Sequence, residues 1–249
     1  MIELFGMSSP NVRKVLIALE EMELDYDPRH IAVFRGHQFD EEFLSLSPMA
    51  KVPVLVDAGG PASDQPMFES GAILIYLAET YGPAFLPAGG PARYAVLKWL
   101  MLQVANVGPA LGQHSHFRLQ ADDNPYAARR FRHMAAQVYY ALERRLGEAE
   151  WLGGDAYSIA DMAVWPWARY LDRHGLDRAE FNRLTAWEQR IGERPAVVRA
   201  DAVVRRYAEQ DRIDRATATP QERGRFLGLH IPAPSAQAAA RTTKETKGM

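Results

Sequence analysis

The chain has 249 residues, a formal net charge of −2 and a sequence pI of about 6.4. This length allows one large domain or two small ones, and the small net charge argues against nucleic acid or a strongly anionic membrane as the main partner. No apolar run is long enough to span a bilayer. The sequence contains no cysteine, which excludes structural disulfides, a Cys-x-x-Cys pair and a cysteine nucleophile. Thiol chemistry would therefore need the thiol of a ligand.

The first predicted elements are a strand and an amphipathic helix. Residues 2–5 are predicted to form the strand, and because no basic region or apolar signal core precedes them, we expect a cytoplasmic protein. Apolar residues then recur at helical spacing at Val12, Val15, Leu16 and Leu19. Ser9-Pro10 predicts the start of this helix, since serine is a preferred N-cap and proline suits the first helical position.

Ser9 and Asn11 are therefore candidates for a thiol-binding site at the positive end of this helix. A thiol placed there would be stabilised as a thiolate by the helix dipole and by donated hydrogen bonds. The alternative is that Ser9 only caps its helix and that Asn11 is a solvated residue of the first turn.

The stretch from Lys51 to Ser70 carries the most specific pattern. Residues 54–56 alternate like a buried strand, and residues 65–68 are predicted to pair with them in an antiparallel hairpin. The period then becomes helical, with Ser70 placed as the cap of the next helix. Pro53 has no N–H to donate, so one strand edge would be left free. This free edge would lie beside the N-terminus of the helix. That pair suits a small extended peptide that carries a carboxylate.

Further along the chain the strand patterns end. Residues 25–34 can supply one more strand, which Pro28 makes an edge or irregular strand, and a short helix follows and ends near Leu46. Glycine and proline at residues 82 and 83 end the third helix, and from Arg93 onward the pattern is helical only. We therefore predict an α/β domain at residues 1–82, a linker at 83–92, an all-α domain at 93–207 and a C-terminal extension at 208–249.

Four signals place the later helices. Gly108-Pro109 should kink or end the first of them, and Pro125 should open a long one. Residues 158–161 form a capping box that leads into an apolar, central helix, where Trp165 and Trp167 are interpreted as core residues. Another helix is predicted from Pro195 through Tyr207. Beyond it the pattern fades, apart from an apolar island at Phe226, Leu227, Leu229 and Ile231.

Val52-Pro53, followed by Glu69-Ser70 and then by an all-helical region, resembles the glutathione site of the glutathione S-transferase superfamily. The resemblance covers about residues 1–205 and implies a thioredoxin-like domain followed by an all-helical domain. It also implies that Val52 pairs with the cysteinyl backbone of glutathione and that Glu69 and Ser70 hold the γ-glutamyl end. The family usually forms homodimers.

The segment Ser9-Pro10-Asn11 is most similar to the activating loop of the bacterial Nu-class and disulfide-bond-oxidoreductase-like members. Threonine is common there, and serine keeps the hydroxyl donor. The same resemblance implies that Gln38 binds the glycyl end of glutathione and that Lys51 supplies charge to the glycyl carboxylate. It also implies that Arg130 reaches glutathione. Lys51 could equally be a surface lysine, and Arg129-Arg130 a solvent-facing basic pair.

The resemblance implies a glutathione-dependent enzyme that activates the thiolate for reduction of disulfides, with conjugation to electrophiles as a second reaction. The alternatives are a conventional glutathione S-transferase and a non-catalytic glutathione-binding scaffold or regulator. Glutathione is the expected co-substrate, and no metal, nucleic acid or membrane is expected. His114 and His116 do not suggest a metal site, because residues two apart on a helix point to different faces.

Overall fold

The computed structural model describes residues 1–62, 65–119 and 122–229. Within these ranges the chain forms one four-stranded sheet and a series of helices. The strands are β1 (Ile2–Gly6), β2 (Tyr26–His30), β3 (Val54–Asp57) and β4 (Met67–Phe68). The helices are α1 (Pro10–Glu21), α2 (Glu41–Leu46), α3 (Ser70–Thr80), α4 (Gly90–Leu102), α5 (Gly108–Arg118), α6 (Pro125–Arg145), α7 (Ile159–Ala168), α8 (Asn182–Gly192), α9 (Pro195–Thr217) and α10 (Pro220–Phe226).

The sheet has the strand order β2-β1-β3-β4. β1 runs parallel to β2 and antiparallel to β3, and β3 runs antiparallel to β4 with Val54 opposite Phe68. The predicted hairpin is confirmed, and so is the predicted architecture of an α/β domain followed by helices. The boundaries proposed at residues 82, 92 and 207 remain predictions.

Helix α1 joins the two halves of the molecule. It packs against α3 within the α/β half and against α7 and α9 from the helical half. Its side chains from Lys14 to Leu19 are all buried, and those from Val15 to Leu19 belong to one apolar cluster that extends through both halves. A helix buried on every side is held by tertiary packing more than by its own propensity. The residues at its N-terminus are therefore fixed by both halves together.

The predicted capping box at the start of α7 is confirmed. The Ser158 and Asp161 side chains and backbones bond reciprocally across the first turn. Nearly all of α7 is buried, with Pro166 inside the helix. The chain between α4 and α5 is a π-helical turn at Gln103–Val107. Pro109 is the second residue of α5 and has no N–H for a regular helical hydrogen bond. This missing bond accounts for the predicted interruption.

Two helix ends differ from the prediction. Helix α4 begins at Gly90 rather than near Arg93, because Pro91 fits its first turn. Helix α9 continues to Thr217 rather than ending near Tyr207, and α10 follows it with a capping box of its own. The buried face of α9 includes a carboxylate, Asp211, which an apolar periodicity does not register. Of the apolar island, Ile231 lies outside the described residues.

No helix in the described part of the chain is long and apolar enough to cross a membrane.

Candidate active site

A cleft opens where the sheet meets the N-termini of α1 and α3. It is lined by Asn11, Ser47, Met49, Lys51, Val52, Pro53, Phe68, Glu69 and Ser70. Six of the predicted site residues therefore lie together, although they come from separate parts of the sequence: Asn11, Lys51, Val52, Pro53, Glu69 and Ser70.

The wall beside β3 is built by the loop that precedes the strand. The Val52–Pro53 peptide bond is cis, and strand pairing begins only at Val54, so Val52 lies outside the ladder. Ser47, a buried residue, holds the loop: its Oγ donates to the Lys51 carbonyl oxygen at 2.9 Å and accepts from the Lys51 N–H at 3.1 Å. Ser47 is not predictable from the sequence, since nothing local distinguishes it from other loop serines.

The opposite wall is the N-terminus of α3, where the prediction for Ser70 was wrong in one respect. Ser70 is the first residue of the helix and not its cap; the cap position is Glu69, with φ of +68°. Among the described residues, no side chain caps this helix. Its first-turn N–H groups are therefore available to an anion, with the positive end of the helix dipole behind them.

Lys14 lies behind Ser70. Its Nζ donates to Ser70 Oγ at 3.2 Å and to Gln103 Oε1 in the π-helical turn, and only 2% of the residue is exposed. Burial lowers the pKa of Lys14 to about 7, and the nearby Glu69 carboxylate opposes this shift. The burial of Lys14 is not predictable from the sequence, because a lysine within an amphipathic helix is ordinarily expected on the solvated face.

At the start of α1 the predicted cap is confirmed: Ser9 Oγ accepts a hydrogen bond from the Val12 N–H at 3.3 Å. Asn11 lines the cleft, and its Oδ1 accepts a hydrogen bond from Trp167 Nε1 at 3.1 Å. Because an indole nitrogen can only donate, this contact fixes which amide atom is the oxygen. The Asn11 NH₂ group is thereby left as a donor. Trp167, interpreted from sequence as core, is only partly buried.

Family comparisons agree with this geometry. The N-terminal domain of glutathione S-transferases matches residues 8–80, and the C-terminal domain of the same family matches residues 107–195. The chain belongs to the glutathione S-transferase family.

Two similar proteins come from Escherichia coli. The chain is 42% identical over 203 residues to the disulfide-bond oxidoreductase YfcG, a match that covers 80% of this chain and 94% of the relative. It is 34% identical over 222 residues to the disulfide-bond oxidoreductase YghU, covering 82% of this chain and 75% of that protein.

Two solved structures of glutathione transferases are also similar. One, from Pseudomonas fluorescens with two glutathione bound, has a TM-score of 0.73 at 35% identity and covers 80% of this chain and 91% of that one. The other, from Pseudomonas putida with one glutathione disulfide per subunit, has a TM-score of 0.74 at 33% identity and covers 80% and 90%.

Three predicted site residues of this glutathione S-transferase do not line the cleft. Ser9 acts as the helix cap described above. Gln38 lies in the turn His37–Phe39, where it is buried and its Oε1 has no hydrogen-bond partner among the described atoms. Arg130 lies on α6 in a separate depression beside Tyr126 and His133. Their roles toward glutathione remain predictions.

Two histidines of this family member, His114 and His174, take part in hydrogen bonds within the protein. His114 Nε2 lies 3.1 Å from the His174 carbonyl oxygen, and the His174 ring bonds to Tyr139 Oη at 2.7 Å and to Ser115 Oγ at 3.0 Å. Burial lowers the pKa of His174 to about 4, and the pKa of His114 is also lowered by burial. Buried neutral imidazoles of this kind hold α5 and α6 to the chain that follows α7.

Within the described residues, a cluster of groups that can ligate metals is formed by His30, Asp211 and Asp214, whose ligand atoms lie within 4.8 Å of one another. Asp211 Oδ1 lies 2.8 Å from His30 Nε2, and Asp211 Oδ2 accepts from the Ser8 N–H at 2.9 Å. Both oxygens are thus already hydrogen bonded. The expectation of no metal remains a prediction.

Proposed function

We propose that this glutathione S-transferase binds glutathione in the cleft and uses the glutathione thiolate to reduce disulfides. The observation that carries the proposal is a single cleft that joins Asn11, Val52 and Ser70, beside a helix N-terminus that no side chain in the described part of the chain caps. Asn11 supplies a hydrogen-bond donor to a thiolate, and Val52 supplies a free peptide backbone. Ser70 and the helix N-terminus supply an anion site. A small extended peptide with a thiol and a carboxylate fits all three.

In the proposed complex the γ-glutamyl carboxylate lies at the N-terminus of α3 on Ser70, and Glu69 accepts from the γ-glutamyl ammonium group. The cysteinyl backbone pairs with Val52. Lys51, which is exposed at the edge of the cleft, neutralises the glycyl carboxylate. In line with the family resemblance, Gln38 also binds the glycyl end of glutathione. Arg130 is a further residue that reaches glutathione.

The sulfur then lies at the N-terminus of α1, where the Asn11 NH₂ group and the Ser9 hydroxyl act as donors. Both donors favour the charged form of a thiol, as does the positive end of the helix dipole. Lowering the glutathione thiol pKa from about 8.5 to about 7 corresponds to roughly 2 kcal/mol of differential stabilisation. Two hydrogen bonds and a helix end are sufficient for an effect of that size.

The absence of cysteine from the chain determines the redox steps. A glutathione thiolate attacks one sulfur of the disulfide, which forms a mixed disulfide and releases the other sulfur as a thiolate. A second glutathione thiolate attacks the mixed disulfide, giving glutathione disulfide and the second product thiolate. Two glutathione molecules are oxidised and one disulfide is reduced. The two protons lost by glutathione are taken up by the product thiolates.

Disulfide reduction is preferred over conjugation for two reasons. The segment Ser9-Pro10-Asn11 resembles the activating loop of the disulfide-reducing members, and the two E. coli relatives described above are named as disulfide-bond oxidoreductases. Attack of the same thiolate on an electrophilic carbon remains as a weaker reaction.

We also propose that the protein is a C2 homodimer. Tyr94 and Met101 lie two helical turns apart on the same side of α4 and are exposed, as is Tyr126 on α6. Burial of large apolar side chains between two copies would remove this surface from water. Light scattering after size exclusion should give twice the mass of the chain.

The test of the proposed function is glutathione-dependent reduction of hydroxyethyl disulfide, run beside conjugation of a chlorodinitrobenzene under matched conditions. The wild-type chain is compared with Ser9→Ala, Asn11→Ala and the control Ser45→Ala, which alters an exposed serine of α2. Fast disulfide turnover that falls in the first two variants supports the proposal. Faster conjugation than reduction would assign the chain to conventional transferases. Glutathione binding without either reaction would make it a scaffold.

A further inference from the structure

The described part of the C-terminal extension contacts two segments of the α/β half. Its first contact is Asp211, a carboxylate near the end of α9 of which only 5% is exposed. Asp211 Oδ2 accepts from the Ser8 N–H at 2.9 Å and from Ser8 Oγ, and Oδ1 lies 2.8 Å from His30 Nε2. One side chain therefore binds both the loop after β1 and the end of β2.

The position of this contact is informative. Ser8 immediately precedes Ser9, the cap of α1, and the Ser9 N–H donates to the Met7 carbonyl oxygen at 2.7 Å. A buried carboxylate needs donors for its oxygens, and a buried N–H needs an acceptor. Ser8 and Asp211 satisfy one another across 203 positions of sequence. The conformation of the loop that leads into Ser9 and the start of α1 therefore depends on α9.

The second contact is made by α10 and the end of α9. The centres of the Phe226 and Phe34 rings lie 4.5 Å apart. The Arg215 guanidinium lies 4.4 Å from the centre of the Phe34 ring. Glu222 forms an ion pair with Arg35 at 3.6 Å. Phe34 and Arg35 belong to the turn Val33–Arg35, directly before the turn His37–Phe39 that contains Gln38.

Gly36 joins these two turns and brings the backbone close to α10. It has φ of +87°, in the left-handed region that favours glycine, and a Cβ atom placed on it would lie 3.4 Å from Arg225 Cδ. Helix α10 thus covers the turn Val33–Arg35 and Gly36, which lead directly into the turn that contains Gln38.

We propose that residues 208–229 act as a clasp that positions the glutathione site at two places. Asp211 sets the loop that activates the sulfur, and α10 sets the turn that contacts the glycyl end. What the two segments bind rests on the proposed function. The clasp itself rests only on the contacts between residues 208–229 and these two segments. Asp211 is a positioning residue, because it acts through Ser8 and does not line the cleft.

The two contacts should fail in different ways. Asp211→Asn replaces an acceptor of three hydrogen bonds, so the loop loosens and the thiolate is less well stabilised. We expect kcat to fall about tenfold and the thiol pKa of bound glutathione to rise toward its reference of about 8.5. Phe226→Ala loosens the turn at Gln38, so KM for glutathione should rise about fivefold with kcat unchanged.

The controls come from the same helices. Glu209 is an exposed carboxylate of α9 that pairs with Arg212 at 2.6 Å, so Glu209→Gln tests the loss of a charge from α9 alone. Leu229→Ala removes an exposed apolar side chain of the extension. Ser8→Ala is a milder partner of Asp211→Asn, because it keeps the backbone N–H bond and the carboxylate. It should shift the thiol pKa in the same direction by less.

Hydrogen exchange measured without glutathione separates the clasp from the proposed function. Asp211→Asn should speed exchange of the amides of residues 7–12, and Phe226→Ala that of residues 33–39, while the controls match the wild type. The thiolate is measured in parallel by its ultraviolet absorbance during a pH titration. If Asp211→Asn exchanges like Glu209→Gln, the clasp is overturned even where the enzyme reduces disulfides. If exchange changes as expected but no glutathione binds, the proposed function fails and the clasp stands.

Discussion

Lys14 Nζ lies 3.2 Å from Ser70 Oγ, which places a buried amine directly behind the residue proposed to receive the γ-glutamyl carboxylate. Burial lowers the pKa of Lys14 to about 7, so near neutral pH the side chain is divided between its charged and neutral forms. An anion bound at the N-terminus of α3 favours the charged form. Glutathione binding should therefore be coupled to uptake of a proton by Lys14.

The variant Lys14→Met should remove this proton uptake and weaken glutathione binding by about tenfold, equivalent to ~1.4 kcal/mol. The measurement is titration calorimetry slightly above neutral pH in two buffers with different ionisation enthalpies. The buffer dependence of the binding enthalpy gives the number of protons taken up. Lys98→Met, which alters an exposed lysine of α4, is the control and should behave like the wild type. Equal proton uptake in the Lys14 variant would contradict the coupling.

A second prediction concerns the hydrogen bond from Trp167 to Asn11. Trp167→Phe keeps most of the ring and removes the donor, so the Asn11 amide is no longer oriented with its NH₂ group available to sulfur. We expect kcat to fall several-fold with little change in KM for glutathione, since the thiolate is stabilised less while the peptide contacts remain. Steady-state kinetics with a small disulfide measure both constants.

The matched control is Trp165→Phe, two residues earlier on α7. The indole N–H of Trp165 donates to the Glu188 carbonyl oxygen at 2.9 Å and therefore has a partner in the helical half. Its loss should lower stability and leave kcat unchanged. Equal kinetic effects in the two variants would show that Trp167 acts only through packing.

The parts of this molecule that were predictable are those specified by neighbouring residues. Ser9 followed by proline predicted the start of α1, and the box formed by Ser158 and Asp161 predicted the start of α7. Both depend on contacts within one helical turn. The hairpin of β3 and β4 was predictable for the same reason, because residues 54–56 alternate like a buried strand and turn-forming residues follow them directly.

The parts that were missed depend on partners far away in the sequence. Lys14 bonds to Ser70 and Gln103, and Asp211 bonds to Ser8, yet each resembles a solvated side chain in a local window. Ser70 was assigned as a cap because serine favours that position. The chain instead enters α3 through Glu69 with positive φ and leaves Ser70 inside the helix. Polar residues that are buried by another element carry no periodic signal.

A third prediction tests the folding role of Asp161. This buried carboxylate accepts from the Leu152 N–H, from the N–H and hydroxyl of Ser158, and from Trp187 Nε1. Asp161→Ala would leave these buried donors without an acceptor, so the free energy of unfolding should fall by about 3–5 kcal/mol. Urea denaturation followed by circular dichroism measures the change. The control Asp155→Ala removes an exposed carboxylate from the preceding loop and should cost less than about 0.5 kcal/mol.

The last prediction concerns acid stability and the buried ring of His174. Its pKa in the folded protein is about 4, against 6.5 for an ordinary histidine, because burial penalises the charged form. Between these two values the unfolded chain binds a proton that the folded chain does not. The stability contributed by neutral His174 is therefore fully present above pH 6.5 and is lost as the pH falls toward 4.

The variant His174→Gln loses the ring, so its free energy of unfolding should be lower than that of the wild type at pH 8. Because glutamine cannot titrate, that free energy should fall less steeply over this window. Urea denaturation at a series of pH values measures both effects, with His133→Gln on the exposed side of α6 as the control. If the His174 variant and the wild type lose stability in parallel, another group governs the acid sensitivity.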